Sequence, residues 1–314
     1  MTVTEPTAGA ALRCAAWARE QGLDPIGSAG TYTGYLLVEW PNPWPRDLAE
    51  VSELAALRGE LEGTGLRLQG LLADATGPEA RVALYRKPEG PGFAGFARAE
   101  RFVTARDGAA VAEAAAALLA LAPDELDPPG TFPTELLVCT HGRRDRCCGS
   151  LGTTLALELL ARPDLLPGSV RLWRTSHTGG HRFAPTAIVL PEGTVWGFLD
   201  ALLLARVLGR EGDVGDCLPH YRGCAGLTSA PVQALERAVL GEVGWGLLDW
   251  PRSGTEEDGG LVRLGAMRPD GGQVTFEGTV GVRRTVPVPD CGSPIEQAKK
   301  SEPEWEVSDL RRVD

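Results

Sequence analysis

Between residues 139 and 181 the chain gathers three of its four histidines and three of its seven cysteines. The segment Cys139-Thr-His-Gly-Arg-Arg-Asp-Arg-Cys-Cys148 sets two cysteines in a C-x8-C spacing, with Cys147 beside the second. His177-Thr-Gly-Gly-His181 supplies an H-x3-H pair. Thiolate is a soft ligand and imidazole a borderline one, so two of each can converge on a transition metal. On a helix the two rings would share a face, but two consecutive glycines cost about 1 kcal/mol each in a helix interior. The spacing therefore predicts a loop, whose glycines let the backbone pass close to a bulky group such as a metal-sulfur cluster or a phosphate.

Other chemistries fit these residues less well. Reading the cysteines as small buried hydrophobes and the histidines as satisfied polar groups leaves the clustering unexplained. A structural Cys2His2 zinc site usually separates its cysteines by ~2–4 residues, not eight. A thioredoxin-type dithiol needs C-x-x-C, which is absent, and adjacent Cys147 and Cys148 make a strained disulfide. A cysteine phosphatase loop starting at Cys139 would need arginine where Asp145 stands; Arg144 and Arg146 miss by one. Two acids for glycoside hydrolysis can always be found among 42, so that pattern carries no weight. There is no G-x-S-x-G elbow and no Walker A sequence. GPGFAG (90–95) matches G-x-G-x-x-G after the predicted strand RVALYRK. The acid at the required distance, Glu113, falls inside an Ala-rich predicted helix, so this segment reads as a plain loop.

The elements that must position these groups form an α/β pattern. GYLLVEW (34–40) reads as a buried strand broken by Pro41, Pro43 and Pro45, and residues 51–61 show helical spacing. LRLQGLLAD and RVALYRK read as strands and 112–122 as a helix. The Pro- and acid-rich stretch 122–133 is the best linker. After it come the strand TELLVCT, a Gly- and Arg-rich loop, a helix over about 150–160 and the strand VRLWRTS. Then follow a hairpin in AIVLPEGTVWG turning at Glu192 and Gly193, and helices near 199–209 and 230–241. A mixed sheet flanked by helices fits best. A second break, DWPRSGTEEDGG (249–260), precedes a hairpin of LVRLGAM and QVTFEGTVGVRRTVPV; the charged tail from about Ser293 is expected to be mobile. The resulting division is an α/β domain over 1–128, a second domain over 129–250, and an extension over 251–314.

Composition narrows the class. At 43% hydrophobic residues the chain folds, and no apolar run approaches the ~18 residues of a membrane helix. The start MTVTEPTAGAALRCAAWARE lacks the apolar region of a secretory signal, which predicts a cytoplasmic protein with reduced thiols. A net charge of −11 argues against binding a phosphate backbone, so nucleic acid is not expected as a partner, and without an apolar run of membrane length neither is a membrane.

VCTHGRRDRCCGSLG together with WRTSHTGGHRFAPTAIVLPEGTVWG resembles the sucrase/ferredoxin-like family, and weaker similarity in LLVEWPNPWP and HYRGCAGL extends the resemblance to about Trp250. The resemblance implies a thioredoxin-like ferredoxin domain, preceded by the smaller α/β domain. It implies a [2Fe-2S] cluster held by Cys139, Cys148, His177 and His181 outside the Rieske fold. The implied role is electron transfer or redox sensing with a redox partner protein, a reductase being the expected donor by analogy. Around that set, Cys147 is either an alternative ligand or a packing residue, and His141 either bonds a cluster sulfur or sits in an exposed loop. Arg143, Arg144 and Arg146 would give a positive rim. Cys217, His220 and Cys224 read as structural, and Cys14 and Cys291 stand alone. The competing expectation is a zinc-stabilised Cys2His2 binding module, and colour separates the two.

Overall fold

The computed structural model describes residues 12–72, 79–104 and 107–313. Four strands and two helices make the first half: β1 (Gly34–Trp40), α2 (Ala55–Leu61), β2 (Leu66–Leu72), β3 (Ala80–Arg86), β4 (Ala97–Val103) and α3 (Gly108–Leu119), after a short α1 (Cys14–Glu20). β1 follows the predicted GYLLVEW and is buried on both faces. Its side chains alternate: Leu36 and Val38 pack with Leu57, Val111 and Leu118 of α2 and α3, while Tyr35 and Leu37 join the core on the opposite side. Asp107 caps α3 by accepting from the Ala110 N–H, a contact typically worth ~1 kcal/mol. The last two residues of the predicted strand LRLQGLLAD, Ala73 and Asp74, lie outside the described residues.

The second half repeats that order with β5 (Thr134–Cys139), α4 (Thr153–Ala161), β6 (Val170–Thr175), β7 (Ala187–Leu190), β8 (Thr194–Trp196) and α5 (Ala201–Gly209). In the first half the spatial order is β4-β3-β1-β2; in the second it is β8-β7-β5-β6. In each, the first two strands are parallel, the third runs against the first and the fourth against the third. β2 and β6 meet antiparallel at Leu71 and Thr175, so the halves fuse into one nine-stranded mixed sheet, closed at its far edge by β9 (Tyr221–Cys224). A buried ion network also joins them: Arg81 on β3 clasps Glu135 on β5 through two nitrogens at 2.8 and 3.2 Å, with Trp173 donating to the same carboxylate.

α6 (Ala230–Val243) follows β9 and packs against a second, antiparallel sheet of β10 (Arg252–Glu256), β11 (Leu261–Met267), β12 (Gln273–Pro287) and β13 (Ser301–Arg312). This region corrects two expectations. The break at 249–260 contains β10, which pairs with β11, and the tail is no loose end, because β13 lies along β12 from Ser301 to Arg312. Charge had suggested mobility. Trp305 and Val307 of β13 nonetheless pack on the core, and Glu304 and Glu302 find arginine partners at Arg284 and Arg182. Among the described residues no helix is long and apolar enough to cross a membrane.

Candidate metal centre

Two parallel strands deliver the cysteine and histidine segments side by side. Cys139 ends β5 and pairs in register with Thr175, which ends β6 two residues before His177. Loops leaving the carboxyl ends of adjacent strands face one crevice, which is where an α/β sheet places its ligands. From Cys139 the chain turns through His141 to Asp145 and enters helix at Arg146, which continues through a wide π-type turn, Cys148–Gly152, into α4. Gly149 is required in that turn, since a Cβ there would lie 2.4 Å from the Gly142 Cα.

Cys139, Cys148 and His177 converge, with their ligand atoms all within 4.8 Å of one another. Both sulfurs are fully buried and neither cysteine is in a disulfide. The Cys139 thiol is pulled well below its ordinary range, first by a hydrogen bond from Cys148 and then by His177 and the His141 backbone N–H; the Cys148 thiol is correspondingly pushed up. Burial lowers the His177 pKa, so its ring is held neutral, the form that binds a metal. His177 Nδ1 is buried with no hydrogen-bond partner, an orphaned atom that a bound metal would satisfy. These observations fit an iron-sulfur or other thiophilic metal group.

The fourth residue of the expected set stands apart. The His181 ring centre is 6.1 Å from that of His177, and its Nδ1 lies 3.2 Å from Asp145 Oδ2 and 3.3 Å from Cys14 Sγ. A histidine whose Nδ1 is engaged by a carboxylate keeps Nε2 for a metal, the usual arrangement around bound ions. Gly180 is left-handed at φ 62°, and a Cβ there would lie 2.3 Å from Arg222 Nη2. The loop therefore passes close to the Arg222 guanidinium. Burial lowers the pKa of Arg222 to about 10, and the side chain donates to the Gly179 and Ser28 carbonyls at 3.1 and 2.6 Å.

The first half of the sheet helps to hold the loop. Arg67 of β2 donates to the His177 carbonyl, and Gln69 Nε2 reaches the Ser176 carbonyl at 2.7 Å and Thr175 Oγ1 at 2.8 Å. His141 is buried edge-on against Trp44, and its Nδ1 accepts from the His177 N–H at 3.3 Å. Arg143 and Arg146 are exposed, while Arg144 lines a cavity of about 400 Å³ together with His177, His181, Arg46 and Lys300.

A family model described as sucrase/ferredoxin-like matches residues 25–223, more than half of the chain. The chain belongs to the sucrase/ferredoxin-like family. No curated protein and no solved structure matches it. The matched span of this sucrase/ferredoxin-like chain covers β1 to β9 almost entirely, with both the C-x8-C and H-x3-H segments inside it.

The structure also gathers residues that spacing could not single out. Cys14, Asp145, Cys147 and Cys291 form a second group with ligand atoms within 4.8 Å. Cys147 faces this group: the Cys14 and Cys291 thiols donate to its sulfur and lower its pKa to about 3, while the Cys14 thiol is pushed up. Cys14 and Cys291 are 277 residues apart, so no local pattern links them; the one clue was a second cysteine beside Cys148. Cys217, His220 and Cys224 belong to neither group. Cys224 donates to the Glu192 carbonyl and burial pushes it up to about 12, and His220 Nδ1 contacts the Gly197 carbonyl.

Proposed function

We propose that this protein carries one [2Fe-2S] cluster on Cys139, Cys148, His177 and His181 and serves as an electron carrier or redox sensor. The convergence of Cys139, Cys148 and His177 at the shared end of β5 and β6 carries the reading. Family membership supports the ferredoxin-like role, and free, mutually close cysteines support a reducing, cytoplasmic setting. On this reading each half of the main sheet, with its third strand antiparallel to its first, is a thioredoxin-like unit. On this reading only the second unit bears a cluster, because the loop after β1 offers prolines where the loop after β5 offers cysteine and histidine.

When bound, the cluster supplies reversible one-electron transfer. The protein's residues fix and shield it. Cys139 and Cys148 anchor from the buried side, and the His141 N–H donates to the Cys139 sulfur. His177 and His181 line the cavity, where Arg46, Arg144, Arg182, Lys299 and Lys300 outnumber Asp290 and Glu302, the last of which pairs with Arg182 and Lys300. That rim suits an acidic redox partner, whose approach would be steered over about a Debye length.

Anaerobic purification followed by absorption and EPR spectroscopy, with iron and sulfide analysis, tests the reading. A red-brown protein with about two irons and two sulfides per chain is expected from the cluster type. A colourless protein without iron or sulfide, under conditions that load other iron-sulfur proteins, overturns it.

A further inference from the structure

We propose that Cys14, Cys147, Cys291 and Asp145 form a second metal site that binds one zinc ion and ties α1 and the segment between β12 and β13 to the loop after β5. The sulfur of Cys147 lies 3.1 Å from that of Cys291, which lies 3.3 Å from that of Cys14. The Asp145 carboxylate reaches Cys14 Sγ at 3.6 and 3.7 Å and Cys291 Sγ at 3.5 Å. Four donors within 4.8 Å of one another suffice for a single tetrahedral ion, and His181 Nδ1 adjoins the group at 3.2 Å from Asp145 Oδ2 and 3.3 Å from Cys14 Sγ. Zinc bonds of ~2.3 Å to sulfur and ~2.0–2.2 Å to oxygen place neighbouring donors roughly 3.5–3.8 Å apart.

A disulfide explains this group poorly, since it would use two sulfurs and leave the third beside a buried carboxylate. Cys14, Cys147 and Asp145 are buried and Cys291 is half-buried, so this negative charge is costly without a cation. The backbone is arranged for thiolates as well. The Cys14 N–H donates to Cys291 Sγ at 3.4 Å, the Ala15 N–H donates to Cys147 Sγ, and the Cys147 N–H holds Asp145 Oδ1 at 2.8 Å. Zinc would take the three cysteines as thiolates, with any thiol protons released to solvent.

The donors come from the first turn of α1, from the loop before α4 and from the segment between β12 and β13. A metal that joins points 131 and 277 residues apart closes long loops, where a cross-link removes most freedom from the unfolded chain. The proposal does not rest on iron binding by Cys139, Cys148, His177 and His181.

The test measures zinc and iron together in the full-length protein, in wild type and in Cys14→Ser, Cys291→Ser and the double variant. Wild type is expected to hold about one zinc per chain, as one four-donor site requires. The double variant should lose nearly all of it while keeping most of its iron, and Cys291→Ser, which leaves the Cys14 contact to His181 intact, should keep its visible spectrum unchanged. Wild type without zinc, a double variant that keeps its zinc, or iron lost in step with zinc each overturns the proposal. If the serine variants do not fold, Cys139→Ala/Cys148→Ala is loaded with Co²⁺. Intense tetrahedral cobalt-thiolate absorption supports the second site, and its absence overturns it, whatever the fate of the iron.

Discussion

Cys147 and Cys148 are consecutive residues whose sulfurs serve different groups: Cys147 Sγ lies 3.1 Å from Cys291 Sγ, whereas Cys148 joins Cys139 and His177. Both have helical backbone geometry or border it, and successive side chains on a helix diverge by roughly 100°, so the two cannot face one point. Asp145 reinforces the separation by accepting from both backbone N–H groups, at 2.8 and 3.3 Å.

Cys148→Ala should therefore strip most of the iron with no rescue by Cys147, and Cys139→Ala and His177→Ala should do the same. Cys147→Ala, Cys217→Ala and Cys224→Ala should keep it. Iron and sulfide analysis of the purified variants decides. Full iron in Cys148→Ala, lost only when Cys147 is also removed, would mean that the pair is exchangeable.

The neutral state of the His177 ring bears on reduction potential. An oxidised [2Fe-2S] core is formally +2, so two thiolates and two neutral imidazoles leave it uncharged, whereas four thiolates leave it at −2. Adding an electron is easier in the first case. Bis-histidine Rieske centres lie at about −150 to +300 mV and plant-type ferredoxins near about −400 mV. Voltammetry should place this protein above the plant-type value, and His177→Cys or His181→Cys should lower the potential if a cluster is retained. A wild-type value near that of four-cysteine ferredoxins counts against histidine ligation.

Local signals made much of this architecture legible. Strand β1 and the hairpin of β7 and β8 were marked by apolar runs bounded by Pro and Gly, and the chemistry-bearing segments by the rarity of histidine. Long-range facts were not. The pairing of Leu71 with Thr175, which fuses two similarly ordered halves, leaves no periodicity to read. β13 is charged on its exposed side and held by partners on other elements, so composition alone suggests a loose tail. Cys14 and Cys291 gain meaning only once folding brings α1 against the segment between β12 and β13.

The second sheet is coupled to the first through a fully buried ion pair. Arg252 at the start of β10 donates from Nε to Glu236 of α6 at 2.7 Å, and Tyr221 of β9 donates to the same carboxylate at 2.8 Å. Removing one partner leaves the other charge buried, which costs about 3–5 kcal/mol. Arg252→Met should therefore lower the urea midpoint substantially. Arg206→Met, which breaks an exposed pair with Asp216, should change stability by no more than ~1 kcal/mol. Equal effects would show that burial is not what gives the Arg252 pair its weight.

Acid should release β13 from the histidine loop. Glu302 on β13 accepts from Arg182, the residue after His181, at 2.7 Å. Burial works against ionising Glu302, but Arg182 and Lys300 outweigh it and hold the carboxyl below its ordinary value of 4.5. A carboxyl with a depressed folded pKa stabilises the folded state fully above the unfolded value, and the contribution fades as pH falls through the folded one. Wild type should thus melt higher than Glu302→Gln at pH 6, and the two melting curves should converge as pH drops below about 4.5. Thermal unfolding followed by circular dichroism from pH 6 to about pH 3 measures the gap. A gap that stays constant or widens in acid would mean that the charge on Glu302 contributes nothing to holding the strand in place.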